Sequence, residues 1–160
     1  MNTDFQGNDK ETWFRKMYDE YVMDVYRLCF SYMKNKMDTE DAVQETYCRL
    51  YQVMDVMEEE GHIKGWLLVT AGNICKNMLK HWSRKSQKLE ESICEVGKED
   101  EYKIEMLELV MNLPQKYKTV VYLYYYEEYN SVQISQIMKM PESTVRTHLQ
   151  KARKLLKQEL

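Results

Sequence analysis

The stretch Tyr129–Leu156, YNSVQISQIMKMPESTVRTHLQKARKLL, decides how this chain is read. Its apolar residues fall into two short helical registers with a break between them. Val132, Ile134, Ile137 and Met138 form the inner side of a first helix over Ser131 to Met138, with Ser131 as its expected cap. Lys139 and Met140 make the turn, and Pro141 suits the first position of the next helix, where no amide hydrogen bond is lost. Val145, Leu149, Ala152 and Leu156 then recur at intervals of three and four and point inward. The same register turns Glu142, Ser143, Arg146, Thr147 and Gln150 to or near the outer face. Two helices so arranged are a helix-turn-helix. The outer residue types are those that read a major groove: Arg for guanine, Gln for adenine, Thr for a phosphate or a methyl group. An ordinary helical hairpin with a charged face has the same periodicity. Lys139 stands where such turns often carry Gly, and a positive φ there would cost modest strain.

Outward from this motif the chain stays helical. With 5 Gly and 2 Pro in 160 residues, strands and tight turns lack their usual punctuation, and an all-α fold is expected. From Trp13, the residues Phe14, Met17, Tyr18, Tyr21, Val22, Val25, Cys29, Tyr32 and Met33 return to one face. A second helix is predicted from Asp38 as cap, with Asp41 completing a box-like pair and Ala42, Val43, Thr46, Tyr47, Leu50, Tyr51 and Met54 inside. A third runs from Gly65 to Trp82, after a loop containing Gly61 and His62. SQKLEESICEVGKEDEY, Ser86 to Tyr102, loses the periodicity and reads as a flexible acidic linker. Beyond it, Lys103 to Asn112 and Gln115 to Glu127 read as helices on either side of Leu113-Pro114. The expected organisation is two small helical domains, residues 1–86 and 103–160, with 87–102 between. The second sits near the lower size limit for standing alone.

The composition, 44% hydrophobic and 31% charged with a mean hydropathy of −0.68, is that of a soluble globular protein. The opening MNTDFQGNDKETWF does not read as a signal peptide, and no apolar run reaches membrane-spanning length. Cys29, Cys48, Cys75 and Cys94 form no close pair, so free buried thiols in a reducing cytoplasm are expected. The histidines His62, His81 and His148 stand apart, and no phosphate-binding loop or nucleophile motif is present; no catalytic residue, metal site or cofactor is expected. The net charge of −3 argues against coating nucleic acid by bulk charge. Resolved along the chain, however, Lys76 to Lys88 carries +5 and Lys139 to Lys157 carries +5. Asp38 to Glu60 carries −7 and Glu90 to Glu108 carries −6. Each basic patch lies on the last helix of its own half, where it can meet phosphates.

The stretch SVQISQIMKMPESTVRTHLQKARKLL resembles the fourth conserved region of bacterial RNA polymerase sigma factors, closest to the small extracytoplasmic-function (ECF) group. LPQKYKTVVYLYYYEEY looks like the start of the same domain, of the winged-helix-like, region 4 type. DTEDAVQETYCRLYQ resembles the second region, and GWLLVTAGNICKNMLKHWSRK its promoter-melting helix. The two matches stand in the family's order and cover most of the chain.

The resemblance implies a specificity subunit that binds RNA polymerase core enzyme and directs initiation at promoter DNA. It places core binding on Asp41, Gln44 and Glu45. It places minus-ten contacts on His62, Asn73, Lys76, Lys80, Arg84 and Lys85, with Trp66 mainly in the core. It places minus-thirty-five contacts on Glu142, Ser143, Arg146, Thr147, His148, Gln150 and Lys151. The basic tail of the first half uses more Lys than the family's usual Arg, which makes its contacts less bidentate. An anti-sigma factor joins the expected partners; membrane insertion and a small-molecule substrate do not. Two other readings remain open from the residues alone: a conventional helix-turn-helix regulator that needs no polymerase, and a helical protein-interaction module.

Overall fold

In the computed structural model, which describes residues 7–57, 62–82 and 107–158, the chain turns its first corner at Lys34 and Asn35. Helix α1 (Gly7–Met33) ends where Lys34 takes a positive φ of 63°. Asn35, in extended conformation, caps α2 (Lys36–Val53) by accepting a hydrogen bond from the Asp38 amide at 2.8 Å. The cap is therefore Asn35 rather than the expected Asp38. Asp38 lies inside the first turn, where its carboxylate favours the helix's positive end and accepts from Asn35 Nδ2 at 2.6 Å. A short 3₁₀ turn (Met54–Val56) follows. Helix α3 (Ile63–Trp82) starts two residues ahead of the predicted Gly65.

These three helices pack around Val25, Leu28, Cys29, Ala42, Leu50, Leu67, Leu68, Ala71 and Cys75, none of which reaches solvent. Tyr47 closes the near end, its hydroxyl donating to the Met17 carbonyl at 3.2 Å and its ring meeting Phe14 edge-on. Cys29 and Cys75 are buried free thiols, as expected, whereas Cys48 is exposed because it falls on the outer side of α2. Cys94 lies outside the described residues, as does the whole linker 87–102.

The second half begins with the described end of α4 (107–111), then α5 (Gln115–Val121). The single helix expected to Glu127 changes its winding at Tyr122. Residues Tyr122–Tyr126 form a π turn, closed by the Glu127 amide on the Tyr122 carbonyl at 3.2 Å. The widened turn stacks Tyr122 on Tyr126 with centroids 4.7 Å apart. The helix-turn-helix is α6 (Ser131–Met138) and α7 (Glu142–Gln158). Its first cap is Asn130, not Ser131, in a reciprocal box with Gln133. Lys139 takes the left-handed conformation, φ 54° and ψ 45°, that the turn demands. Pro141 stands one position earlier than predicted: its carbonyl accepts from the Thr144 and Val145 amides, so it precedes the helix. Among the described residues there is no strand.

The two halves share one apolar core along a seam of α1 and α3 against α5 and α6. That shared burial supplies what a domain of this size lacks on its own. Polar contacts fix its register. Tyr32 Oη lies 2.7 Å from Thr119 Oγ1, and Tyr122 Oη donates to the Asp24 carbonyl at 3.1 Å. Gly72 is required because an added Cβ would come within 2.5 Å of Thr119 Oγ1.

Candidate nucleic-acid interface

The inner side of α7 is the one its spacing assigned: Val145, Leu149 and Ala152 are buried against α5 and α6, with Ile134 opposite them. The outer side carries Ser143, Arg146, Thr147, Gln150 and Lys151, all exposed. The other two members of the expected reading set are turned partly inward. Glu142 accepts a hydrogen bond from Ser131 Oγ at 3.1 Å and ties the start of α7 to α6. His148 is half-buried, edge-on to Tyr117 at 5.3 Å. Burial holds its pKa below the usual histidine value, and the charges of Lys116, Lys151 and Lys76 push it the same way. Arg153, part of the basic patch, is turned back onto Tyr124 and Tyr125, its Nε donating to the Tyr125 hydroxyl at 2.6 Å.

On α3, Asn73 and Lys80 are exposed one and a half to two turns apart, and Lys76 is half-buried between them, its pKa lowered by burial. His62 is exposed just ahead of the helix. Arg84 and Lys85 lie outside the described residues. Trp66 packs half-buried against the core. On α2, Asp41, Gln44 and Glu45 form one exposed acidic face, opposite the buried Thr39, Ala42, Val43, Thr46, Tyr47 and Leu50. Glu45 also pairs with Arg49 one turn on, at 3.8 Å.

Sequence reasoning passed over the seam. Lys118 is 3% exposed, and its ammonium donates to the Ser31 carbonyl at 2.5 Å and the Met111 carbonyl at 3.0 Å. Both acceptors lie in last turns, of α1 and of α4, so one cation serves the negative ends of two helices. Helix α1 has no basic residue in its own last turn. Burial, with Lys34 adding repulsion, brings the Lys118 pKa down to about 7. The available signal was a lysine inside the apolar run of α5, YKTVVYL. Farther along the seam, Lys64 pairs with Glu127, which is 4% exposed in its side chain. Burial works to lower the Lys64 pKa, but the hydrogen bond and charge of Glu127 outweigh it and hold the ammonium protonated. Burial pushes the Glu127 carboxyl up, opposed by Lys64.

Among the described residues no group of His, Cys, Asp and Glu has the geometry to hold a metal ion, and no helix is long and apolar enough to cross a membrane.

Two family patterns match the chain, one in each half. The family "Sigma-70 region 2" matches residues 17–85, and "Sigma-70, region 4" matches residues 103–156. RNA polymerase sigma factor SigV of Bacillus subtilis (strain 168) is 30% identical over 145 residues, spanning 88% of this chain and 87% of that protein. The ECF RNA polymerase sigma factor SigW of the same organism is 26% identical over 165 residues, spanning 92% and 88%. Among solved structures, sigma factor RpoE of Bartonella quintana, in complex with the anti-sigma factor NepR, has the same fold. Its TM-score is 0.71 at 15% identity, covering 91% of this chain and 94% of that one.

Proposed function

The chain belongs to the ECF group of sigma-70 RNA polymerase sigma factors, and on that premise we propose that it binds core polymerase and directs promoter-specific initiation through three separate faces. The observation that carries this reading is that the acidic face of α2, the polar edge of α3 and the outer side of α7 are all exposed, while the apolar sides of the same helices build one core.

The α2 face, Asp41, Gln44 and Glu45, meets a basic surface on the polymerase. Its charge sets the association rate and the orientation of docking more than the final affinity. On this reading His62 and Asn73 take bases of the opened minus-ten strand and Lys76 and Lys80 take phosphates, with Arg84 and Lys85 assigned phosphates from the sequence alone. Ser143, Arg146, Thr147, Gln150 and Lys151 enter the major groove at the minus-thirty-five element. Glu142 and His148 act through position: the first orients the start of α7, the second packs it on Tyr117.

Energetics explain why a polymerase is needed. Opening duplex DNA loses about 1.4 kcal/mol per stacked step. A base captured on the protein returns about 1–3 kcal/mol. One or two captured bases do not offset a bubble of several steps, so the free protein does not melt DNA. It supplies the address, without a catalytic site of its own, and works in the cytoplasm where polymerase is. Another protein of the anti-sigma kind is a fitting partner for the same exposed faces.

The test is reconstitution with bacterial core polymerase: co-elution, then run-off transcription from a cognate promoter. Stable promoter binding by the chain alone would instead indicate a conventional regulator. Binding to neither partner would indicate an interaction module.

A further inference from the structure

A groove of about 460 Å³ opens on the seam, lined by Lys76, Asn77, Leu79 and Lys80 of α3 and by Gln115 and Lys116 of α5. Three of these six residues are lysines, none is acidic, and they come from both halves of the chain. The groove exists only because α5 docks beside α3. His148 of α7 feels the charges of Lys116, Lys151 and Lys76 together, so a further lysine, from α7, faces the same region as two of the groove's own. Asn77 and Gln115 add amide groups that can donate to anionic oxygens.

We propose that this groove is a binding site for a short phosphate chain, such as that of a free polyphosphate or a nucleoside triphosphate, held by Lys76 and Lys80 from one half and Lys116 from the other. The size suits a small ligand rather than a duplex, which could reach only the rim. Lysine is a point-charge donor that tolerates phosphates in several orientations, and among the described residues no carboxylate lines the groove. A ligand held from both halves stabilises the docked arrangement by mass action. It also occupies Lys76 and Lys80. In the proposed function, on which this consequence rests, those two lysines serve promoter phosphates. The ligand therefore opposes promoter engagement.

The experiment uses the full chain without polymerase or DNA, so it stands whether or not the proposed function does. Sodium tripolyphosphate is titrated calorimetrically against sodium chloride of equal ionic strength. The expected result is saturable one-to-one binding with a raised melting temperature. Lys116→Gln, at an exposed position assigned no promoter contact, weakens tripolyphosphate about tenfold, as loss of one nearby charge should. Lys154→Gln, on the exposed side of α7, leaves it unchanged. A nucleoside triphosphate titrated the same way loses affinity in parallel on Lys116→Gln. Non-promoter duplex DNA at equal phosphate concentration binds wild type and Lys116→Gln alike. Absence of saturable binding, or equal affinity in Lys116→Gln, overturns the site. An equal loss for the duplex overturns the free-ligand assignment and makes the groove part of the DNA track.

Discussion

The hydroxyls of Tyr32 and Thr119 lie 2.7 Å apart across the seam, joining the end of α1 to the middle of α5. Burial holds the Tyr32 phenol well above its ordinary pKa, so this contact stays protonated and neutral throughout the physiological range. Thr119 is pinned from the other side by Gly72, which leaves no room for a side chain beside Thr119 Oγ1.

Gly72→Ala is therefore a wedge. Its Cβ would displace Thr119 and break the bond to Tyr32, destabilising the protein by about 1–3 kcal/mol, the usual cost of an overpacked contact. Urea unfolding measures this. The double variant Gly72→Ala/Thr119→Ala should lose less than the sum of the two single losses, because the second change removes the clash. Strict additivity would mean that Thr119 is not what the wedge strikes.

Lys118 gives the seam a pH dependence. Its pKa falls to about 7 when folded, against an ordinary value of 10.5. Between these values the unfolded chain binds more protons than the folded one, so stability rises with pH over this window. The groups facing Lys118 are Lys34, Cys75 and Tyr32. Above about pH 9 the tyrosines of the unfolded chain begin to ionise and reverse the trend. Denaturant unfolding at intervals from pH 7 to 9 should show the rise, and Lys118→Met should flatten it. An equal slope in that variant would assign the effect to another group.

Arg146→Ala should weaken minus-thirty-five recognition by about 1–3 kcal/mol, the size of one good base contact, without changing affinity for core polymerase. Run-off transcription across a set of promoter variants reads the effect. A loss that is uniform across bases would make Arg146 a phosphate contact instead.

Lys80→Ala should weaken promoter binding by the holoenzyme and reduce the salt slope by about 0.9, the value for one phosphate contact on duplex DNA. Filter binding at graded salt provides the slope. An unchanged slope removes Lys80 from the phosphate track.

Glu45→Lys should slow association with core polymerase by roughly threefold to tenfold at low salt, with the difference closing as salt rises. Its exposed pair with Arg49 contributes little to the fold, so stability should scarcely move. Stopped-flow mixing separates rate from affinity.

The inward positions of α7 were legible because Val145, Leu149 and Ala152 repeat at the helical period, and the left-handed Lys139 followed from the turn between two such runs. The caps were harder. Ser131 and Asp38 are good capping residues by type, but Asn130 and Asn35 precede them with the extended backbone that capping needs, and conformation decides between neighbouring candidates. The seam was not legible. Thr119 and Gly72 are explained only by partners more than 40 residues away, as is the reach of Lys118 to Ser31, and local periodicity carries no record of such partners. The outward side of α7 was assigned as one face, yet Glu142 and His148 sit at its margins, where a half-turn decides between solvent and a neighbouring ring.

The lysine that serves the end of α1 stands 87 residues after the carbonyl it reaches. At about 5–20 residues per second, ribosomal synthesis places roughly 4–17 s between making the two. During that interval α1 emerges with its Ser31 carbonyl lacking that donor, although Lys34 and Asn35 can already serve Phe30 and Met33, in a helix that carries no basic residue in its own last turn. The nascent first half is thus incomplete at one corner until the second half arrives. A truncated or stalled chain ending before α5 should consequently be more readily cleaved near Ser31 than the finished protein.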